Sequence, residues 1–369
     1  MAHPSEPDAV TFLESGAYGD LQAHRWELDH YLPSFWHPLA ALSALPPGTS
    51  LCRSWLGRSV LLSRPSEGEV LAFANVCPHR GAALSAPSTA AQACRRWICP
   101  YHGWTYSTRG RLLAAARERE FLEPFVRGDW DLPPLECRLQ AGLIWIRPGS
   151  PKTGPSLEEQ LDLVRSEVGE ALDGLRLQVG HSRRRLRCNW KLAHDNTLDD
   201  YHVATAHART LHRLQGPVAA YRHRIGTYCN LLATPLPGGS SERGGEFLTF
   251  GVPPCHHLLF WPDRRLAVLS CLPRSPESCW MELLLLAAPD QAAGTEGWMA
   301  EMQAFLDEDR RLVESAQKGY ASGFTPGPAH RLERRILHHQ EIYRAFRRGA
   351  QGPPSSPAPR SESPGRPPP

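Results

Sequence analysis

Lysine is nearly missing from this 369-residue chain. It stands only at Lys152, Lys191 and Lys318, so arginine carries almost all of the positive charge. The formal net charge of +3 is too small to argue for nucleic acid or an anionic membrane surface as a partner. Long apolar stretches are missing too. The longest, WMELLLLAAP from Trp280, is far short of the ~20 residues that span a bilayer and reads as a buried strand. The first residues, MAHPSEPDAVTFLES, show neither a basic n-region nor an apolar h-region, so no secretory leader is expected. No GxGxxG turn occurs, so a nicotinamide cofactor would have to be used by a partner. Ten cysteines in such a chain argue for reduced thiols and a cytoplasmic location rather than a disulfide framework. Eight of them (Cys52, Cys94, Cys137, Cys188, Cys229, Cys255, Cys271 and Cys279) lie outside any ligand spacing and read as small buried hydrophobes.

The pattern along the chain divides it into four parts. Residues 1–37 form an aromatic-rich lead-in. Residues 38–148 alternate short apolar runs (SVLLSRP, EVLAFANVC, RRWICPYH, GLIWIRPG) with Gly, Pro and Ser turns, an all-β pattern. The Pro- and Gly-rich GSPKTGPS marks a boundary, and a second domain follows over 149–348. It opens on the helical LEEQLDLVRSEVGEAL and continues through a helix-like stretch at 190–213 and apolar strands between 221 and 288. It closes on the amphipathic EGWMAEMQAFLDEDRRLVESAQKGY and a helix with polar ends, RLERRILHHQEIYRAFRR. The tail from 349 to 369 is Pro- and Ser-rich, cannot build a core and is expected to be disordered.

Two constellations carry chemistry. In the first, Cys77-x-His79 and Cys99-x-x-His102 flank a small-residue spacer. Zinc sites usually pair like ligands on one turn, two cysteines or two histidines. Mixed pairs suit a [2Fe-2S] cluster with both cysteines on one iron and both histidines on the other, each loop giving one ligand to each iron. Pro78 and Pro100 stiffen the loops, and Gly81 and Gly103 permit close backbone approach. Trp104 and Tyr106 are placed to pack beneath the cluster.

In the second, CNWKLAHDNTLDDYHVATAH sets Asp199, Asp200, His202 and His207 on a helix-like segment. Two histidines and a carboxylate on one face of an iron, with open positions for dioxygen, form a facial triad. Residues five apart on an ideal helix point about 140° apart. For His202 and His207 to share a metal, the helix must therefore be widened or broken between them, as by a π-bulge.

The first stretch resembles the Rieske motif of the Rieske non-haem iron oxygenases, C-x-H-R-G…C-P-Y-H-G-W-x-Y, with a longer spacer, SAPSTAAQA, between its halves. The second resembles the start of their catalytic domain, N-W-K-x3-[DE]-N-x2-[DE]-x-Y-H-x4-H. FLDEDRRLVESAQKG resembles their E-D-x4-E-x2-Q-x-G helix. The resemblance, in the family's order over nearly the whole chain, implies an α+β fold: a β-rich Rieske domain, then a helix-grip catalytic domain whose antiparallel sheet wraps a long helix. It implies a [2Fe-2S] cluster on Cys77, His79, Cys99 and His102, and a mononuclear Fe(II) on His202, His207 and Asp309. Asp199 matches the acid that bridges the two metals, reaching an iron-ligating histidine and a cluster histidine of a neighbouring subunit, which would be His102. Asn196 matches the family's asparagine near the iron. An ordinary acidic helix face would also account for Asp309, since Asp307, Glu308 and Glu314 are close by.

The activity so implied is oxygenation of an aromatic or other small organic substrate. It would use O2 and NAD(P)H electrons supplied through a reductase, with or without a ferredoxin, in a homotrimer or with a beta subunit. Quaternary ammonium compounds fit the motif as well as aromatic rings do. A cation would want an aromatic cage, for which Tyr221, Tyr228, Phe260 and Trp261 are available. O- or N-demethylation is a related alternative. Two other classes compete: a Rieske electron carrier with an inert second domain, and a zinc-stabilised binding protein. Of the adjacent His256 and His257, one is expected to face the pocket, because neighbours on a strand point to opposite faces. The arginines of HSRRRLRCNW read as a solvated edge, or as a docking patch for an acidic ferredoxin.

Overall fold

A computed structural model describes residues 11–149, 154–236 and 245–350. Of the tail expected to be disordered from 349, Gly349 and Ala350 instead close the last helix, and 351–369 lie outside the described residues, as do 150–153 of the boundary segment. Ten strands build the first half: β1 (His37–Ala41), β2 (Thr49–Trp55), β3 (Arg58–Ser66), β4 (Glu69–Ala74), β5 (Gln92–Ala93), β6 (Arg96–Ile98), β7 (Thr105–Ser107), β8 (Leu112–Ala114), β9 (Pro134–Gln140) and β10 (Leu143–Arg147). Seven of them form one sheet in the order β1-β10-β9-β4-β3-β2-β5, and β6-β7-β8 form a small second one. The long spacer is held rather than free. Its end is β5, paired with Thr49 and Ser50, and Ser88 N–H donates to Cys52 O at 2.9 Å.

The second half has its own seven-stranded antiparallel sheet. Its strands are β11 (Leu177–Leu186), β12 (Arg222–Ile225), β13 (Asn230–Pro235), β14 (Glu246–Val252), β15 (His256–Phe260), β16 (Arg265–Ser275) and β17 (Ser278–Ala287), ordered β11-β17-β16-β15-β14-β13-β12. This sheet is covered on both faces, which explains the continuous apolar run in β17. Leu283 and Leu285 join the cluster around the helices below, while Leu284 and Leu286 join the opposite one.

Among the described residues eight α-helices accompany the strands: α1 (Leu21–Trp26), α2 (Leu157–Gln160), α3 (Asp162–Val168), α4 (Trp190–Leu198), α5 (Val203–Ala206), α6 (Leu211–Gln215), α7 (Trp298–Ala321) and α8 (Arg334–Ala350). The helix expected near 190–213 is thus three short pieces. In the long α7, Trp298, Met302, Phe305, Leu306, Val313 and Gln317 are buried at helical spacing, and Asp309 lies in the same stripe. No helix among the described residues is long and apolar enough to cross a membrane.

The lead-in is part of the core. Glu27, fully buried, accepts from Lys191 Nζ at 2.5 Å, Trp190 Nε1 at 2.7 Å and Tyr343 Oη at 2.9 Å. Two buried charges are tolerated only when paired and hydrogen-bonded, and this pair fixes the start of α4. The Asn189 side chain caps the helix through Lys191 N–H at 2.9 Å, while its backbone N–H donates to Gln317 of α7 at 2.7 Å.

Candidate functional site

The two Cys/His loops are near copies of one turn. Gly81 N–H closes onto Cys77 O at 2.9 Å, and Gly103 N–H onto Cys99 O at 3.0 Å. Both glycines adopt φ near +70°, with values of 76° and 71°, the left-handed region that a side chain resists. Cys77 and Cys99 are buried, whereas His79 is half-buried and His102 exposed. The imidazoles meet with ring centroids 4.4 Å apart. Tyr106 Oη lies 3.3 Å from Cys77 Sγ, and the Trp104 ring stacks on His79 at 4.7 Å. Two buried thiols at one end and two imidazoles at the outer end are the donor set a Rieske cluster needs.

The second constellation converges just as closely. Helix α4 stops at Leu198, and Asp199 turns the chain with an extended backbone. Asp199 Oδ1 then accepts from Tyr201 N–H at 2.8 Å and His202 N–H at 3.2 Å, restarting the helix as α5. His202 and His207 stand at the two ends of this single turn. The expected break is therefore found at its flanks, and no π-bulge lies between them: Ala206 N–H bonds His202 O in the ordinary α pattern. His207 leaves the helical region (φ −111°, ψ 29°), which swings its side chain back toward His202.

His202 Nε2 lies 3.1 Å from His207 Nε2 and 3.3 Å from Asp309 Oδ1, and His207 Nε2 lies 2.9 Å from that oxygen. Ligand atoms at right angles on one ion with bonds of ~2.1 Å are ~3.0 Å apart, so this triangle fits one octahedral metal face. The arrangement also has an orphan. His202 Nδ1 is enclosed without a hydrogen bond, with Asp199 Oδ2 3.5 Å away in position to receive it. Burial works against a charged His202, but Asp199 and Asp309 outweigh it and lift its pKa to about 10. Asp309, though buried, is held at about 2 by the two histidines.

Glu308 was not singled out by its sequence neighbourhood. Its Oε2 lies 2.7 Å from His207 Nδ1 and accepts from Thr210 Oγ1 at 2.6 Å, so the far side of that imidazole is held as firmly as the near side. A helical reading of α7 separates these acids. Asp309 shares the buried stripe of Met302 and Val313, whereas Asp307 and Glu314 turn outward to Arg184 and Arg187.

A cavity beside the triad is lined by Asn196, Asp199, Asp200, Gln215, His257 and Phe305, among others. Of the two adjacent histidines, His257 faces this cavity. His256 points away and is bonded through Nδ1 to Ser270 at 2.8 Å and through Nε2 to His37 at 3.0 Å. The four aromatics expected to cage a cation do not line it. Trp261 packs on Phe247 and Trp298, Tyr228 on Phe35, and Phe260 lies in the core on the other face of the sheet. Tyr221 reaches the cavity only through Gln215, to which it donates at 3.1 Å. The arginines of the basic run lie on a solvated edge, with Arg183, Arg185 and Arg187 exposed. Arg183 lies over Trp280, Arg185 donates to Ser278, and Arg184 and Arg187 are ion-paired.

Residues 35–125 match the family model of the Rieske [2Fe-2S] domain, and residues 172–348 that of the ring hydroxylating alpha subunit (catalytic domain). The chain is 29% identical over 331 residues to the carnitine monooxygenase oxygenase subunit of Escherichia coli (strain K12), covering 86% of each. It is 33% identical over 319 residues to the glycine betaine monooxygenase oxygenase subunit of Pseudomonas aeruginosa (strain UCBPP-PA14), covering 73% of each. A solved quaternary ammonium Rieske monooxygenase superposes with a TM-score of 0.79 at 23% identity, over 94% of this chain and 100% of that one.

Proposed function

Because the chain belongs to the Rieske non-haem iron oxygenases, as an alpha subunit carrying both the Rieske and the catalytic domain, we propose that its substrate is a small quaternary ammonium compound, which it hydroxylates. As a family member it is an oxidoreductase that draws electrons from a partner reductase and consumes O2. When bound, the cluster delivers single electrons, and the mononuclear iron uses them to activate dioxygen. Cys77, His79, Cys99 and His102 hold the former, and His202, His207 and Asp309 the latter. Asp199 orients His202 through its Nδ1 and offers its carboxylate to a second imidazole, His102 of a neighbouring copy in a homotrimer. Exposure of His102 and of its stacked neighbour Tyr101, at 4.0 Å between rings, supports that use. Asn196, which lines the cavity, positions substrate or water, and the protein works in the cytoplasm.

The observation that carries the substrate reading is the match across most of both chains to oxygenase subunits that act on carnitine and glycine betaine. The test is substrate-dependent O2 uptake with a surrogate reductase across methylammonium compounds, aromatic acids and hydrocarbons. Uptake with hydroxylated product is expected for a methylammonium compound. Uptake only with an aromatic substrate would overturn the reading.

A further inference from the structure

A second group of metal-binding side chains lies outside the two iron sites. His37, Cys255 and His256 each offer one ligand atom, and the three atoms lie within 4.8 Å of one another. All three residues are buried, with none more than 1% exposed. They come from both halves of the chain: His37 opens β1, whereas Cys255 immediately precedes β15 and His256 begins it. His256 Nε2 is 3.0 Å from His37 Nδ1 and 3.8 Å from Cys255 Sγ. One tetrahedral ion, with bonds of ~2.1 Å to nitrogen and ~2.3 Å to sulfur, would set these pairs ~3.3 and ~3.6 Å apart.

The outer nitrogens of both rings are already anchored. His37 Nε2 donates to Leu32 O at 2.7 Å, which turns the Nδ1 lone pair inward, and His256 Nδ1 lies 2.8 Å from Ser270 Oγ. A metal-ligating histidine is ordinarily held in this way, its far N–H given to a fixed oxygen. Burial pushes His37 down to about 4 and His256 well below its ordinary range, so both rings are neutral, the form that binds a metal. His256 need only carry its proton on Nδ1, where Ser270 Oγ accepts it, to present a lone pair at Nε2. Burial also pushes the Cys255 thiol up, so an ion has to displace its proton.

We infer that His37, Cys255 and His256 form a further metal site, for a thiophilic ion, Zn(II) or Cu(I), which clasps β1 of the first half to β15 of the second. Ligand softness sets the class, since a thiolate beside two imidazoles selects these ions over hard cations. Binding breaks only the S–H bond. The proton leaves to solvent, the sulfur keeps the electron pair and bonds the ion, and nothing is oxidised or reduced. Charge favours Cu(I), which one thiolate neutralises, because a net charge is costly to bury. Zn(II) would keep one positive charge and take a water as its fourth ligand.

The holoenzyme, produced in medium supplemented with zinc or with copper, tests this by X-ray absorption at the edge of the supplied metal, which leaves iron out of view. About one equivalent is expected, with one sulfur and two imidazole nitrogens around it. Either ion with that shell supports the inference, and the fuller occupancy identifies the ion. The loaded enzyme should melt several degrees above enzyme grown without the supplement, and Cys255→Ala should abolish both the sulfur signal and that difference. If this variant does not fold, the wild-type signal decides alone. Two sulfurs would put the metal in the cluster loops, and nitrogen and oxygen neighbours alone would put it in the triad. Either result, or no uptake of either metal, overturns the inference.

Discussion

Cys77, His79, Cys99 and His102 come from two turns of nearly the same shape, each closed by its own glycine. His207 and Asp309 are 102 residues apart and meet only through tertiary packing, in which α4 lies against α7. The first site is built by local backbone geometry and needs little else. The second is built by tertiary packing: α7 places Asp309 from within its buried stripe, and the Glu27–Lys191 pair pins the start of α4. The two sites should therefore fail independently and for different reasons.

The sharpest break is a reciprocal pair of variants. Asp309→Ala should abolish substrate-dependent O2 uptake and remove the mononuclear iron while leaving the cluster's visible absorption and its reduction intact. Cys77→Ser should remove the cluster, and with it the electron supply, while metal binding at His202, His207 and Asp309 persists. Both lose activity entirely, but metal analysis and spectra separate them. Loss of both metals in either variant would show that the two sites are not independent.

Glu308→Ala comes next. A carboxylate behind a metal-ligating histidine fixes the ring and raises its basicity, and removing one typically lowers metal affinity 10- to 100-fold. Competition with a chelator should show a loss of that order for Fe(II) or Co(II) at the triad, partly recovered in Glu308→Gln. The cluster should be untouched. An unchanged affinity would reduce Glu308 to a cap on Thr210.

Smaller still is the effect of pH. In the metal-free protein His202 is raised to about 10 and Asp309 lowered to about 2. The raised histidine stabilises the metal-free fold fully below its ordinary 6.5, and that contribution fades as pH rises through 10. The lowered aspartate contributes above its ordinary 3.8, and that contribution fades as pH falls through 2. The triad's own contribution to metal-free stability is thus greatest between about pH 4 and 6.5. Metal binding must displace the His202 proton, so affinity should rise with pH and binding should release protons. Calorimetry in buffers of different ionisation enthalpy reads that release directly. Absence of proton release near neutral pH would place His202 neutral in the metal-free state.

The same contrast explains what could be read in advance. The convergence of the two Cys/His loops was legible because four residues and two glycines within one short stretch are enough to single them out. The β-rich first half and the buried β17 strand were legible from alternation and from a continuous apolar run. His202 and His207 were legible as types, but the break that joins them was misplaced: its cause is the Asp199 side chain capping a new turn, which periodicity does not reveal. Asp309 could be told from its acidic neighbours only by registering it on the buried stripe of α7. The cation cage failed for a similar reason. Tyr228, Phe260 and Trp261 are aromatic and near in sequence to the cavity strands, but strand register turns Phe260 to the other face of the sheet, while Tyr228 packs on Phe35 and Trp261 on Phe247 and Trp298. His257 was half legible, because alternation says that one of two adjacent histidines must face inward without saying which.

The smallest expected effect comes from Gly81→Ala. A Cβ at this position meets no protein atom within 4 Å, and the backbone itself resists it: φ is +76°, where an L side chain is disfavoured by ~1–2 kcal/mol. The substitution should therefore leave the reduced and oxidised spectra of the cluster unchanged but make the loop open more readily. Cluster loss to a chelator should speed up several-fold, with no change in Co(II) affinity at the triad. Gly103→Ala, at φ +71° in equally open space, should match it in size, because the two loops share one geometry. Unequal effects would mean that one loop is supported by something other than its own turn. The Tyr106 contact to Cys77 Sγ is the first place to look.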